Sequence, residues 1–148
     1  MTAGLSRALF TSASQTWETP DDLFAALDAE FHFTVDVCAV SATAKVARHW
    51  SPDSSAFWQT WAGEVCWMNP PYSEIGKWMA KAVEAWEAGA TVVALVPSRT
   101  DTRWWHDYAM RATDIRFLRG RLRFGDATAS APFPSCVLVF RSPSGELR

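Results

Sequence analysis

Two kinds of spacing dominate the apolar positions of this chain. From Ser73 onward they recur at steps of three and four, which predicts an amphipathic helix that ends at Gly89. The positions on its apolar face are Ile75, Trp78, Met79, Ala82, Val83 and Trp86. Residues 91–96 form a run rich in β-branched residues, as expected for a strand buried on both faces, and Pro97 ends it. This part of the chain therefore predicts a helix followed by a central parallel strand.

The amino-terminal half adds one helix and two strands. Thr19 is suited to the helix N-cap and Pro20 to the first helical position, and two acidic residues follow where the helix end is positive. The apolar face of this helix comprises Leu23, Phe24, Leu27 and Phe31. Residues 33–39 predict a buried strand with Asp36 inside its carboxyl end, and residues 64–68 predict a second strand.

The remaining segments complete an alternation of strands and helices. Residues 40–62 are ambiguous, with a weak strand around 46–50 and a loop through 51–55. The later elements are a helix over 102–112, a strand over 114–118, a turn and short strand over 120–125, and a last strand over 135–141. This alternation predicts a three-layer α/β fold with a mostly parallel sheet.

One short run carries the strongest chemical information. Asn69-Pro70-Pro71-Tyr72 follows the predicted strand 64–68 and precedes the helix. Neither proline has an N–H to donate, so the chain must leave the sheet at its carboxyl edge in a stiff conformation. In open α/β sheets that edge is where ligands bind. An Asn-Pro-Pro turn with a surface tyrosine is the purely structural alternative.

These four residues suit methylation of a planar amino nitrogen. The lone pair of such an amine is delocalised into its ring, and two acceptors on its N–H bonds favour the sp³ geometry that reacts. The Asn69 side-chain oxygen and the Pro70 carbonyl can be those acceptors, while Pro71 stiffens the turn. Tyr72 offers a flat face on which a substrate ring can stack. A sulfonium methyl donor would need no general base.

Composition limits the cellular setting. The 148 residues suit one domain, expected at residues 15–141 between a loose tail at 1–14 and a frayed end at 142–148. The sequence has no apolar run of about 18 residues and no secretory leader pattern. The cysteines are Cys38, Cys66 and Cys136, far apart and in apolar runs. They indicate buried thiols of a cytoplasmic protein, and neither they nor the three histidines have metal-ligand spacing.

Charge is unevenly distributed along the chain. Residues 1–98 carry a balance of −6 and residues 99–148 a balance of +4. The basic stretch from Arg99 to Arg123 is interleaved with aromatic residues, which favours contact with nucleic-acid phosphates. Ordinary solvated arginines are the alternative. We expect Arg99, Arg121 and Arg123 to contact such phosphates.

Asp36 is a candidate cofactor ligand. A carboxylate at the carboxyl edge can bind the amino or hydroxyl groups of a small molecule. No G-x-G-x-x-G follows it, so a phosphate-cradling loop is not predicted, which argues against NAD and ATP. S-adenosylmethionine has no phosphate and is compatible with a loop that lacks glycine.

Taken in order, several motifs resemble the phage-type DNA N6-adenine methyltransferases, the small Dam-like family. The match covers about residues 15–141. The motifs are Trp17-x-Thr19-Pro20, Val35-Asp36-Val37-Cys38-Ala39, Trp67-Met68-Asn69-Pro70-Pro71-Tyr72, Leu95-Val96-Pro97-x-Arg99, Gly120-Arg121-Leu122-x-Phe124 and Ala131-Pro132-Phe133-Pro134-Ser135. The resemblance implies a Rossmann-like fold, S-adenosylmethionine as methyl donor and DNA as substrate.

The resemblance also implies roles for individual residues. The cofactor would be bound by Trp17, Thr19, Pro20, Asp36, Cys38, Ala39, Asp53 and Asn69. Asn69 to Tyr72 would be the catalytic motif, and Phe133 a second stacking face for the target base. The motif from Asp36 to Ala39 departs from the commoner glycine-rich form. No inserted recognition domain is evident, so choice of DNA sequence would come from loops or a partner.

Two other functions fit the same residues. A methyltransferase with this motif could act on RNA or on a protein glutamine amide, since both present a planar amine, and the overall acidity favours this option. A non-catalytic binding module on the same fold is the third possibility, against which the intact Asn-Pro-Pro-Tyr run and Asp36 argue. The sequence does not specify the oligomeric state or the recognition site.

Overall fold

The computed structural model describes residues 18–39, 42–51, 55–123 and 130–143. The predicted tail at 1–14 and the candidate residues Trp17 and Asp53 lie outside these ranges, as does most of the carboxyl-terminal end predicted to fray. No helix within the described ranges is long and apolar enough to cross a membrane.

Four helices and five strands make up the described part of the chain. The helices are α1 (Asp21–Phe31), α2 (Ser55–Trp58), α3 (Ile75–Glu87) and α4 (Arg103–Asp107). The strands are β1 (Val35–Asp36), β2 (Val65–Met68), β3 (Thr91–Pro97), β4 (Asp114–Phe117) and β5 (Ser135–Phe140). Short 3₁₀ turns at Tyr72–Glu74 and Ala109–Arg111 lead into α3 and follow α4.

All five strands form one sheet in the order β1-β2-β3-β5-β4. β1, β2 and β3 are parallel, while β5 runs antiparallel to both β3 and β4. A parallel arrangement of β4 and β5 would need a long crossover, usually helical, and the described residues between these strands form no helix. The predicted parallel sheet is therefore confirmed for its first three strands, and β5 departs from it.

Helices cover both faces of this sheet. On one face, α1 packs through Leu27 and Phe31 against Trp67, Val93 and neighbouring strand residues. On the other face, α3 contributes the buried side chains Ile75, Trp78, Met79, Ala82, Val83 and Ala85. The apolar spacing predicted all of these except Ala85, and the predicted Trp86 is partly buried. The three layers leave the carboxyl edge of the parallel strands open for a site.

Three predicted elements have different extents. The strand predicted over 33–39 is reduced to Val35–Asp36, because the Asp36 carboxylate accepts the Cys38 backbone N–H and forms a turn. The weak strand around 46–50 is an isolated bridge between Asp36 and His49. The helix predicted over 102–112 ends at Asp107 and continues as a 3₁₀ turn.

The turn predicted after β4 is present, but the described residues up to 123 form no strand there. Gly120 has a φ of 74°, a left-handed conformation that suits glycine. The chain returns to the sheet near Leu122, whose carbonyl accepts the Ala131 N–H at 2.7 Å.

Candidate active site

The strand directions bring the predicted site residues to one edge of the sheet. Asp36 ends β1, Asn69 follows β2, and Arg99 follows β3. β5 runs the opposite way, so Phe133, which precedes it, reaches the same edge. A hydrogen bond of 2.9 Å from the Ser98 N–H to the Pro134 carbonyl joins the two segments there.

A cleft opens at this edge, with an empty volume of about 450 Å³ including the part open to solvent. It is lined by Glu18, Thr19, Asp36, Cys38, Thr43, Lys45, Trp67 and Asn69. Four of these are residues predicted to bind the cofactor, namely Thr19, Asp36, Cys38 and Asn69. Pro20 and Ala39, also predicted there, are not among the lining residues: Pro20 is the N-cap of α1, and Ala39 is buried.

Asp36 is the most buried charged group of the cleft, with 2% of its surface exposed. Its carboxylate accepts the backbone N–H groups of Cys38 at 3.2 Å and Lys45 at 3.0 Å. Burial raises the pKa of Asp36, and these two hydrogen bonds offset part of that rise. A buried carboxylate whose charge is incompletely compensated is suited to accept further N–H or O–H donors from a ligand.

Asn69 is oriented by a residue from a distant part of the sequence. Its side-chain Nδ2 donates to the Thr19 Oγ1 at 3.0 Å. Thr19 was predicted to cap α1, and this is wrong: Pro20 occupies the cap without a side-chain hydrogen bond, and Thr19 is 2% exposed beside Asn69. The bond fixes which edge of the amide carries the oxygen, so Oδ1 lies on the side opposite Thr19.

Three predicted substrate-binding residues form a contiguous group. The Tyr72 and Phe133 rings meet edge to face, with centroids 5.5 Å apart and planes at 77°. The Arg99 guanidinium lies over the Phe133 ring, 5.6 Å from its centroid. A base held between two parallel rings needs the rings to be about 7 Å apart, twice the contact distance of carbon atoms. The Tyr72 and Phe133 rings are closer than this and touch each other, so one of them must move before a base can enter between them.

The Tyr72 hydroxyl is buried and makes no hydrogen bond to the described residues. Burial raises the pKa of this phenol, so it stays protonated at neutral pH. Its ring belongs to the apolar packing of the sheet. The hydroxyl therefore has no acid–base role in this conformation, and the ring is the part that presents a surface.

The basic stretch divides into two groups. Arg111 pairs with Glu87 at 2.9 Å, and Arg116 pairs with Glu30 and Asp114 at 2.7 Å each. In contrast, Arg99, Arg121 and Arg123 are exposed and form no ion pair with the described residues. The second group follows the carboxyl ends of β3 and β4, which lie at the edge that carries the cleft.

Several lining residues were not predicted. Glu18 adjoins the Thr19-Pro20 motif, and Trp67 precedes Asn69 by two residues, so proximity to a motif was the available signal. Thr43 and Lys45 fall in the segment whose pattern was ambiguous. Lys45 reaches Asp36 through its backbone and Asp21 through its ammonium group at 2.8 Å. Among the described residues no three His, Cys, Asp or Glu side chains are placed to hold a metal ion.

Fold and site together define an α/β protein with a polar cleft beside an Asn-Pro-Pro-Tyr turn. The family model for DNA N-6-adenine-methyltransferase (Dam) matches residues 7–142, and the chain belongs to that family. This confirms the resemblance found in the motifs.

Two relatives from phages carry the same family description. A DNA N-6-adenine-methyltransferase of Haemophilus phage HP1 is 28% identical over 93% of this chain and 86% of its own length. Another, from Escherichia phage T1, is 24% identical over 72% of this chain. The aligned region is 45% of the T1 protein, so the chain spans less than half of that relative. No solved structure matches the chain significantly.

Proposed function

We propose that the protein transfers a methyl group from S-adenosylmethionine to N6 of an adenine flipped out of duplex DNA. The catalytic domain would be a Rossmann-like methyltransferase unit at residues 15–141. The observation that carries the proposal is the pairing of Asn69 with Thr19 beside the buried Asp36. This pairing joins the Thr-Pro, Asp-Val-Cys-Ala and Asn-Pro-Pro-Tyr motifs in one cleft.

The cleft is chemically suited to S-adenosylmethionine. This ligand has a cationic sulfonium, an ammonium group and ribose hydroxyls, and no phosphate. The buried Asp36 carboxylate is an acceptor for such donors, and a positive ligand would compensate its charge. The loop after Asp36 contains Cys38 and Ala39 in place of glycines. Trp67 and Thr19 also line the cleft, as do Glu18, Thr43 and Lys45.

The chemistry assigned to the Asn-Pro-Pro-Tyr turn is polarisation of the target amine. S-adenosylmethionine, when bound, supplies an electrophilic methyl group on a sulfonium. The Asn69 Oδ1 and the Pro70 carbonyl would accept hydrogen bonds from the two N–H groups of the adenine amine, which localises the nitrogen lone pair toward the incoming methyl group. The methylated nitrogen would then release one proton to solvent. The Thr19 hydroxyl holds the amide of Asn69 for this task. Pro71 keeps the turn extended, with φ −66° and ψ 128°.

The target base would be held by the rings at the edge of the cleft. Tyr72 and Phe133 already touch, so one of the two rings would have to move for the base to stack between them. The Arg99 guanidinium lies over the Phe133 ring and would therefore be close to a base that stacks there. Flipping costs a few kcal/mol of unstacking, which ring contacts and backbone contacts must offset. Arg121 and Arg123, exposed and without ion pairs among the described residues, would contact DNA phosphates.

The cellular setting follows from the substrate. The described cysteines are free and buried, and both named relatives come from phages. We place the reaction in the cytoplasm of a bacterial host, where phage or prophage DNA is present.

The proposal is tested by supplying labelled S-adenosylmethionine together with plasmid DNA, tRNA or a protein lysate. Label should appear in DNA and, after digestion to nucleosides, in N6-methyldeoxyadenosine. Label in tRNA or in a glutamine amide would replace DNA with one of the alternative substrates. Binding of the cofactor without transfer to any of the three would favour a non-catalytic module.

A further inference from the structure

We propose that a second groove beside the active site holds a base that neighbours the target adenine, an inference that rests on the proposed function. The groove lies between the first turn of α3 and helix α4. Its walls are Gly76, Arg103, Trp104, Asp107 and Tyr108, and its empty volume, including the part open to solvent, is about 600 Å³. We call it the Trp104 groove. Its cavity volume of about 350 Å³ lies within the range of small-molecule sites.

Gly76 has no evident structural reason to be glycine. It lies inside α3, where its φ is not left-handed. A Cβ built on it would meet the Trp104 Cβ at 3.9 Å, an ordinary van der Waals contact. A glycine inside a helix makes that helix less stable than an alanine would. What the missing side chain provides is space, since any larger residue at this position would project into the groove.

The aromatic walls of the groove are suited to stacking. Trp104 is half-buried and is held edge to face against Trp105, with centroids 5.8 Å apart. Tyr108 follows one turn later and donates its backbone N–H to the Trp104 carbonyl at 3.0 Å. Both rings pack on the core with one side and border the groove with the other. Rigid aromatic surfaces of this kind stack on nucleobases independently of sequence.

The charged walls favour a nucleotide over an apolar ligand. Arg103 and Asp107 are both exposed, and neither forms an ion pair with the described residues. A carboxylate repels phosphate but accepts hydrogen bonds from the amino group of a base. The groove therefore has a ring surface for the base, an acceptor for its amino edge and a guanidinium for the attached phosphate.

The position of the groove links it to the reaction. Gly76 lies four residues after Tyr72, in the helix that begins directly after the catalytic turn. Arg103 opens the helix that follows β3, whose carboxyl end carries Arg99. Both walls thus start from the edge that contains the cleft. A DNA strand whose adenine lies near Tyr72 has a neighbouring base within reach of this groove.

Gly76→Leu and Trp104→Ala test the inference on the full-length protein. A fluorescein-labelled duplex with a target adenine serves as the binding probe, and S-adenosylmethionine binding is measured by calorimetry. Each variant should weaken duplex binding by about 5- to 150-fold, the range expected for one stacked base, with cofactor affinity within about two-fold. Ala88→Leu adds a similar side chain at the exposed far end of α3 and should bind the duplex like wild type.

Base readout is tested by methylating a duplex library with randomised flanks and sequencing the modified positions. Wild type should prefer an amino-bearing base next to the adenine, and Asp107→Ala, which removes the acceptor, should lose that preference while still binding the cofactor. If Gly76→Leu and Trp104→Ala bind the duplex as wild type does, the groove assignment is overturned and the proposed function stands. If wild type methylates no DNA, the proposed function is overturned and the groove assignment with it.

Discussion

At the scale of single residues, the site depends on pairs that join distant motifs. Thr19 and Asn69 are 50 positions apart, and their hydrogen bond fixes the amide that would polarise the amine. Asp36 draws its two hydrogen-bond donors from its own turn and from Lys45. Tyr72 is set by its contact with Phe133. Substitutions in these pairs test three properties of the site: the orientation of Asn69, the charge of Asp36 and the ring of Tyr72.

Thr19→Val should slow methyl transfer because Asn69 would no longer be held in position. The substitution removes the oxygen that accepts the hydrogen bond of the Asn69 amide and keeps the side-chain shape. A hydrogen bond of this type contributes about 1 kcal/mol, so a loss of about five-fold in single-turnover rate is expected. In an Asn69→Ala background the same substitution should cost nothing further. Additive losses in this double-mutant cycle would show that Thr19 acts independently of Asn69.

The burial of Asp36 predicts a pH dependence of stability. Its folded-state pKa is raised above the unfolded value near 3.8, so the folded state binds the proton more tightly. The stabilising contribution is complete below the unfolded pKa and is lost as pH rises through the folded pKa. Unfolding in denaturant should therefore show Asp36→Asn gaining stability relative to wild type as pH increases from about 3 to 7.

The same substitution should weaken S-adenosylmethionine binding, since the ligand loses a charged acceptor. A stability difference between the two proteins that does not change with pH would mean that Asp36 is not held in a desolvated site. Unchanged cofactor affinity would remove Asp36 from the cleft's binding residues.

Tyr72→Phe should raise the free energy of unfolding, because it removes a buried hydroxyl that has no hydrogen bond to the described residues. The expected gain is about 1 kcal/mol. Activity should stay within a few-fold of wild type, whereas Tyr72→Ala should lose about 5- to 150-fold with its stacking surface. Equal loss in the two variants would assign the function to the hydroxyl and not to the ring.

At the scale of elements, the connection from β4 to β5 contributes two features to the cleft edge. Its first part, residues 118–123, carries exposed arginines, while Leu118 and Leu122 pack on the core. Its last part, residues 130–134, contains Phe133, which contacts Tyr72. The same connection therefore borders the proposed base position and presents positive charge at the cleft edge.

Replacing Arg121 and Arg123 together with alanine should weaken DNA binding about equally for all sequences. It should also flatten the plot of log affinity against log salt by about two units, one per lost phosphate contact. Arg111→Ala is the matched control, because that arginine is already paired with Glu87. An unchanged slope in the double variant would place the DNA backbone on another face.

The sequence predicted elements better where local pattern determines them than where partners do. α3 and β3 have the expected positions because their apolar spacing is strong and both are buried by the sheet. The start of α1 was misjudged, since Thr19 satisfies the cap rule locally but bonds Asn69 in the folded chain. Segment 42–51 was ambiguous because hydrogen bonds to Asp36 hold it in place. Such bonds leave no regular spacing of apolar residues in the sequence.

At the scale of the whole molecule, the sheet order explains why the motifs converge. The parallel strands β1, β2 and β3 deliver Asp36, Asn69 and Arg99 to one edge, which the alternation of strands and helices predicted. The reversed direction of β5 brings Phe133 there as well, and the strand pattern of the sequence did not specify this reversal. The Trp104 groove has no motif of its own, so only the packing of α3 against α4 shows it.

The central claim is that the protein methylates N6 of adenine in DNA and that the Asn-Pro-Pro-Tyr turn is its catalytic motif. Nucleoside mass spectrometry measures this directly on plasmid DNA incubated with S-adenosylmethionine and either wild type or Asn69→Ala. Wild type should produce N6-methyldeoxyadenosine, and the variant should produce it about 100-fold more slowly, equivalent to about 3 kcal/mol of lost transition-state stabilisation. Its cofactor affinity should stay within a few-fold. A methyl group on another base, or equal rates for the two proteins, would contradict the account.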